Sequence, residues 1–283
     1  MRNILFIILL NFSLSLSAQE VVILRDFSKS TVVNEIINNI VSSIESHNLD
    51  DEIFVHTDKE SFHLKGNNKS IAIGEKSIAL FENENFNHNN SFYIGSMSPS
   101  LKAYSFAFTP SPQSVVESIK KNFPNKNHLY IVSNKRHDWL DKQYIQYCKE
   151  NGLRVSFYYG STLRVVMEHY RNILSNIKNE SSLILINENS LVDNDVILPY
   201  ILNKSWDNDV IVISTKASHA KYGILMSLVP DIKGFGFQIN NCFKKTCNKI
   251  ENIDGFNVGV PLVNKRMYNH LGLKIKTDLL FLE

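Results

Sequence analysis

Val21-Val22-Ile23-Leu24-Arg25-Asp26-Phe27-Ser28-Lys29-Ser30, continued by Thr31-Val32-Val33 and on to Ile44, is the stretch that decides the fold. Val21 to Leu24 form a short, largely β-branched apolar run, the pattern of a strand buried on both faces. Ser28 to Ser30 supply turn and capping hydroxyls. Val32, Val33, Ile36, Ile37, Ile40, Val41 and Ile44 then recur at helical spacing along one face. A buried strand, a Ser-capped turn and an amphipathic helix make the opening unit of an α/β sheet.

The same alternation continues along the chain. Strands are expected at Ile53 to His56, Ser70 to Ile73, Phe92 to Gly95, Tyr104 to Phe108, Leu129 to Val132, Arg154 to Tyr158, Leu183 to Ile186, Val210 to Ile213 and Ile224 to Leu228. Helical stripes lie between them: Val115, Val116, Ile119 and Phe123; Leu140, Tyr144, Tyr147 and Cys148; and Leu163, Val166, Met167, Tyr170, Ile173, Leu174 and Ile177. Pro112 after Ser111 marks a helix start, and Gly152 after Lys149-Glu150-Asn151 marks a stop. Strands alternating with helices imply parallel sheets covered on both faces. About ten strands crowd a single sheet at this length, which favours two sheets in two lobes. Asn83 to Asn90 reads as a surface loop, and no internal repeat is visible.

Met1-Arg2-Asn3 followed by the apolar Ile4 to Phe12 and by Ser13 to Ala18 fits a signal peptide, with cleavage expected near Ala18 and a periplasmic destination. The apolar run is shorter than the roughly 20 residues of a membrane span. The chain has 283 residues, 30 Lys+Arg against 28 Asp+Glu, and a formal net charge of +2. That balance, with the basic residues scattered, argues against a nucleic-acid or anionic-membrane surface.

Three cysteines are present, Cys148, Cys242 and Cys247. Residues five apart on a continuous helix are separated by about 7.5 Å, beyond the roughly 7 Å Cα limit of a disulfide. Cys242 and Cys247 can therefore be bridged only if a helix ends between them; otherwise they are two reduced thiols. Neither a CxxC nor a nearby histidine pair supplies a metal-ligand set, and no cofactor is expected.

Several segments occur together in a telling order. Ile71-Ala72-Ile73-Gly74 precedes a short helix, and Thr109-Pro110-Ser111-Pro112 opens a helix ending Asn122-Phe123-Pro124 before Leu129-Tyr130-Ile131-Val132-Ser133-Asn134. Tyr222 to Asp231 follows, with Gly236 after it, and then Pro261-Leu262-Val263-Asn264 leading to His270-Leu271-Gly272-Leu273. In order and spacing this resembles the periplasmic substrate-binding components of ABC-type transport systems, in the family that includes tryptophan and tyrosine binders. The resemblance covers most of the mature chain. It implies the type I periplasmic-binding fold: two parallel-sheet Rossmann-like lobes joined by three crossing strands, with a small-molecule ligand in the cleft. On that scheme the first lobe holds residues 19–109 and about 223–253, and the second holds 110–222 and about 254–283. It also implies a monomer that meets a membrane permease. The chain departs from the family pattern at Ser98 to Ala103, which contains Pro99 but no glycine, and at Glu75, where a small hydroxyl residue is common. A sensory or accessory protein of the same fold, signalling to a membrane kinase or an outer-membrane uptake system with ligand binding altered or lost, is the alternative.

Candidate ligand residues follow from the sheets alone. In open parallel sheets, ligands sit beyond the carboxyl ends of strands, where loops converge and helix N-termini point N–H groups outward. Asp26 and Ser28 follow the first strand, and Glu75, Ser96, Asn134, Tyr159, Asn187, Glu188, Ser214 and Thr215 follow others. For an amino-acid-like ligand, hydroxyls and helix N-termini would take a carboxylate, Asp26 or Glu75 an ammonium, and Tyr159 an apolar part. Each has a structural alternative: Ser28, Ser214 and Thr215 as N-caps, Asp26 as a partner of Arg25, Asn134 as a turn residue, Tyr159 as packing.

An enzyme is not expected. GxSxG, GxxxxGK[ST], GxGxxG and HExxH are absent, the nine histidines are scattered, and the carboxylate pairs Asp50-Asp51 and Asp193 with Asp195 suit turns and helix starts.

Overall fold

Val21, Val22, Ile23 and Leu24 are all buried, as their composition requires. They form the middle of the first strand in a computed structural model that describes residues 20–25, 31–47, 52–56, 69–83, 91–100, 103–177, 181–244, 253–273 and 279–282. The expected signal segment, Asp26, Ser28, Cys247 and residues 84–90 of the asparagine-rich stretch lie outside these described residues.

The chain runs β1 (Glu20–Arg25), α1 (Thr31–His47), β2 (Glu52–His56), β3 (Lys69–Ile73), α2 (Glu75–Asn83), β4 (Ser91–Ile94) and β5 (Tyr104–Pro110). It continues with α3 (Pro112–Asn122), β6 (His128–Ser133), α4 (Asp138–Glu150), β7 (Arg154–Tyr159), α5 (Leu163–Asn176), β8 (Ser182–Ile186), α6 (Ile197–Asp207), β9 (Ile211–Ser214), α7 (His219–Tyr222) and β10 (Met226–Ser227). The last elements are α8 (Phe235–Lys244), β11 (Ile253–Phe256), β12 (Leu262–Asn264), α9 (Lys265–His270) and β13 (Leu280–Leu282).

Two sheets result, in the orders β11-β5-β4-β3-β1-β2 and β13-β12-β10-β9-β8-β6-β7. Among the described strands every pairing is parallel except β10 with β12. In each sheet the order reverses once near the start of its chain segment, between β1 and β3 in the first and between β6 and β8 in the second. These are the switch points at which loops diverge and leave a crevice.

Local signals explain the helices. Ser111 caps α3, its hydroxyl accepting from Ser114 N at 3.1 Å, with Pro112 at the first helical position. Gly152, at φ 64°, takes the left-handed conformation just after α4. Helix α8 lies against α1 so closely that a Cβ on Gly236 would stand 2.0 Å from the Asn39 carbonyl. Phe235 and Ile239 bury beside Ile36 and Ile40 in the first lobe's core. The second lobe has apolar layers on both sheet faces, one with Leu129, Ile131 and Tyr144, the other with Val132, Tyr170 and Ile184.

The chain passes between the sheets three times, between β5 and α3, between β10 and α8, and between β11 and β12. Met226 pairs with Ile213, so residues up to 227 stay with the second sheet, and Phe256 pairs with Pro110, so residues up to 256 stay with the first. Sheet membership thus changes after Ser227 and after Phe256. The apolar run Ile224 to Leu228 carries no mark of which sheet its two paired residues join; register against β9 decides it.

The crossings are tied together. Ser111 N donates to Phe256 O at 2.6 Å, Asp231 N to Asn257 O at 2.7 Å and Gly259 N to Val229 O at 2.9 Å, around a bridge between Pro230 and Val258. A Cβ on Gly255 would lie 2.3 Å from Thr109 O and 2.6 Å from Ser111 N, so only glycine allows the strands to approach here. Gly255→Ala is expected to cost about 1–2 kcal/mol by forcing the backbones apart, read as a lower urea midpoint with unchanged slope.

Candidate functional site

The carboxyl ends of β6 and β8, at the second sheet's switch point, hold a buried polar network. Asp141, on the first turn of α4, accepts from Ser133 Oγ at 2.7 Å through one carboxylate oxygen and from Asn189 Nδ2 at 2.9 Å through the other. Asn189, fully buried, also accepts from His137 N at 3.0 Å and donates to His137 O at 2.9 Å. Its own N–H goes to Asn187 Oδ1 at 3.0 Å, and its carbonyl accepts from Asn134 N at 2.8 Å. Burial holds the Asp141 carboxyl above its usual range, against the pull of its bonds from Asn189 and Ser133.

This network fixes the turn that leaves β6. Ser133 Oγ accepts from Lys135 N at 3.1 Å and Asn134 Oδ1 from Arg136 N at 2.8 Å. Lys135 is held at φ 58°, an uncommon conformation for a side-chain-bearing residue and one that collects at functional sites. Its ammonium stands over the Tyr159 ring, 4.1 Å from the centroid. Tyr159 ends β7, is 41% exposed and stacks on Phe157. Burial, then Asp141 and Asp138, raise its phenol.

Next to this, Glu188 is held above the ordinary carboxylate range, first by burial, while Lys216 and the Thr215 hydroxyl favour its charge. Ser214 Oγ shares a hydrogen bond of 2.9 Å with His219 Nδ1 and accepts from Lys216 N at 3.0 Å. Burial, and secondarily Lys216, lower His219 to about 4, so it is neutral near pH 7.

The first lobe comes close to this edge. Trp139 Nε1, on α4, donates to Met97 O, in the loop after β4, at 3.0 Å. Gln143 Nε2 donates to Ile253 O on β11 at 2.7 Å. Because α4 follows the carboxyl end of β6, and Met97 follows that of β4, the two lobes meet on the carboxyl side of both sheets.

No family model and no curated protein matches the chain. Among solved structures, it is similar to the ligand-free, open structure of a substrate-binding protein with adhesive properties from Clostridium difficile. The TM-score is 0.59 at 12% identity, covering 94% of this chain and 99% of that one. A conserved domain protein from Vibrio cholerae gives TM-score 0.47 at 12% identity, covering 94% and 100%. An ABC domain in complex with L-Trp from Streptococcus pneumonia gives 0.45 at 15%, covering 92% and 96%. These two are too distant in shape to add to the first. The chain has the type I periplasmic-binding fold.

Within that fold the candidate residues separate. Asn134, Tyr159, Asn187, Glu188, Ser214 and Thr215 gather at the carboxyl edge of the second sheet. Ser96 stands on the first lobe's side next to Met97, where its hydroxyl closes a turn, donating to Ser98 O at 2.8 Å. Glu75 is exposed on the first turn of α2, beyond β3. Asp26 and Ser28 lie outside the described residues. The Ser214 hydroxyl and the Asn187 side-chain oxygen have partners within the protein and frame the edge, whereas Tyr159 and Glu188 present surface. Sequence reading passed over Lys135, Asp141, Asn189 and Lys216. Asp141 reads as an ordinary helix-start carboxylate, and Asn189 as a second loop asparagine; only their meeting across 48 residues reveals them.

Cys242 is disulfide-bonded, and Cys148 is a free, buried thiol raised by burial to about 12. Helix α8 ends at Lys244, before Cys247, the remaining cysteine. Among the described residues no helix is long and apolar enough to cross a membrane, and no group of three or more His, Cys, Asp or Glu could hold a metal ion.

Proposed function

We propose that this chain is an exported solute-binding protein that closes its two lobes on a small molecule and presents the closed form to a membrane permease. The observation that carries the reading is the meeting of the loop after β4 with α4, on the carboxyl side of two sheets joined by three crossings, since bending at the crossings would move the two lobes together or apart there. The second lobe supplies Lys135 and Lys216 for a carboxylate, Glu188 for an ammonium and Tyr159 for an apolar group; the first supplies Ser96 and Glu75. Asn187 adds a buried Nδ2 donor with no partner among the described residues, where a solute or a bound water would complete the bonding. An amino-acid-like solute fits this set.

Two measurements test it. Mass spectrometry of small molecules released from gently purified protein should find one at near-stoichiometric amounts. In a thermal-shift screen over amino acids and related solutes, a ligand at 100 times its dissociation constant should add about 2.7 kcal/mol to stability. Tyr159→Ala should weaken that ligand about tenfold while leaving the unliganded melting temperature unchanged, because the ring is exposed. A screen in which nothing moves the transition would remove the reading.

The departures at Glu75 and at Ser98 to Ala103 keep a sensory role open as the second reading. It predicts that the closed form binds a membrane sensor protein and not a permease, which co-purification with each from native membranes distinguishes.

A further inference from the structure

A cavity of about 380 Å³ lies in the second lobe between α6, α7 and α9, lined by Leu202, Trp206, Lys221, Tyr222, Gly223 and Arg266 among others. Helix α6 runs back from the carboxyl end of β8, so its last turn, with Trp206, stands at the opposite edge of the sheet from the solute site. The lining carries two full positive charges, Lys221 and Arg266, and no carboxylate. Among the described residues neither cation pairs with an acid.

One of these cations is held in place by a chain of contacts. Asp209, at φ 53°, lies 3.1 Å from His270 Nε2. The His270 ring stacks on Trp206, with centroids 3.5 Å apart and 13° between planes, and the Arg266 guanidinium lies 5.1 Å from the Trp206 ring centre. A guanidinium held on an aromatic ring keeps its N–H edges free for bidentate bonding to a planar or tetrahedral anion. Gly223, at φ 108°, leaves the floor open, since an added Cβ would meet only Leu202 at 3.9 Å. Leu202 and the buried Met267 give the wall an apolar part.

We infer that this cavity is a binding site for a small dianion, a dicarboxylate or a phosphomonoester, distinct from the solute site between the lobes. Two uncompensated cations facing one cavity repel each other, and a doubly charged ligand removes that repulsion while bonding both. The volume suits a compact molecule, being near the lower end of the range for ligand pockets.

The test is isothermal titration calorimetry of the full chain with succinate and with inorganic phosphate, at fixed ionic strength. Saturable binding of one dianion per chain is expected, and which probe binds tells carboxylate from phosphate recognition. Arg266→Gln and Lys221→Gln, both at exposed positions, should each weaken it about tenfold. Lys216→Gln, at the other edge of the sheet, should leave it unchanged, which separates this site from the interlobe one. The inference is overturned if neither probe saturates, or if the Arg266→Gln, Lys221→Gln double variant binds as the parent does.

Discussion

Asn189→Leu is expected to lower stability by about 4 kcal/mol. Leucine matches asparagine in size and branching, so the loss comes from polar groups left unpaired in the interior. Asn189 satisfies three of them with its side chain: one oxygen of Asp141, the N–H of His137 and the carbonyl of His137. An unsatisfied buried group costs roughly 1–3 kcal/mol, more when charged. Asp141 then keeps only the bond from Ser133, and its carboxyl, already raised by burial, rises further. That sets the sign of the pH dependence. A carboxyl raised in the folded state is tolerated when protonated, so the deficit should be larger at pH 8 than at pH 5. Urea denaturation at both pH values checks the size and the trend. A deficit under 1 kcal/mol, or one that grows toward low pH, would mean that the network does not hold the β6 turn. Because that turn carries Lys135 and Tyr159 faces it, the variant should also bind solute more weakly than its lost stability alone explains.

The contrast between what composition revealed and what it concealed follows the range of the interactions. β1, β3, β4, β5, β6, β8 and β9 are largely buried apolar runs, β2 and β7 are apolar and β-branched or aromatic but only partly buried, and α1, α3, α4 and α5 are stripes at helical spacing, so each announces itself within a dozen residues. The C-terminal strands do not. β11, Ile253–Phe256, contains Asp254 and Gly255; β12 and β13 are three residues each, and their place is set by pairing with distant partners. The two-lobed arrangement was legible from strand number, but the crossing points were not, because Met226 and Ser227 join the second sheet through β9. For the candidate site, the rule that ligands gather at carboxyl ends puts Tyr159, Asn187, Glu188 and Thr215 on one edge by position alone. It could not identify Asp141 or Asn189, whose roles arise from a contact between the start of α4 and the loop after β8. Nor could it single out Lys135, whose left-handed backbone depends on two side-chain caps from the residues just before it.

Asp254→Asn should stabilise the protein by about 3 kcal/mol at pH 8 and change it little at pH 4. Asp254 lies on β11, where the first lobe meets α4 of the second, near Tyr104 and Tyr147. The residue keeps some exposed surface, yet its carboxyl is closely surrounded, and burial raises it to about 7 against one opposing bond from Gly255 N. Among the described residues no cation pairs with it. Below about pH 4 the carboxyl is protonated in both states and contributes no difference. As pH rises from about 4 to about 7, the unfolded chain gives up the proton while the folded one keeps it, so stability falls across that window. Above 7 both forms are ionised and the loss is complete. A displacement from 3.8 to about 7 is worth ~4 kcal/mol at roughly 1.36 kcal/mol per decade, and water at the partly exposed residue lowers it to about 3 kcal/mol. Asparagine has no proton to lose, so the variant should keep at pH 8 what the parent has at pH 4. His219, lowered to about 4 by burial, pulls oppositely between about 4 and 6.5, with stability rising as pH rises. The difference between variant and parent cancels that contribution and isolates Asp254. Equal stability of the two proteins at pH 8 would show that the carboxyl is solvated in the folded state and that water reaches the contact between β11 and α4.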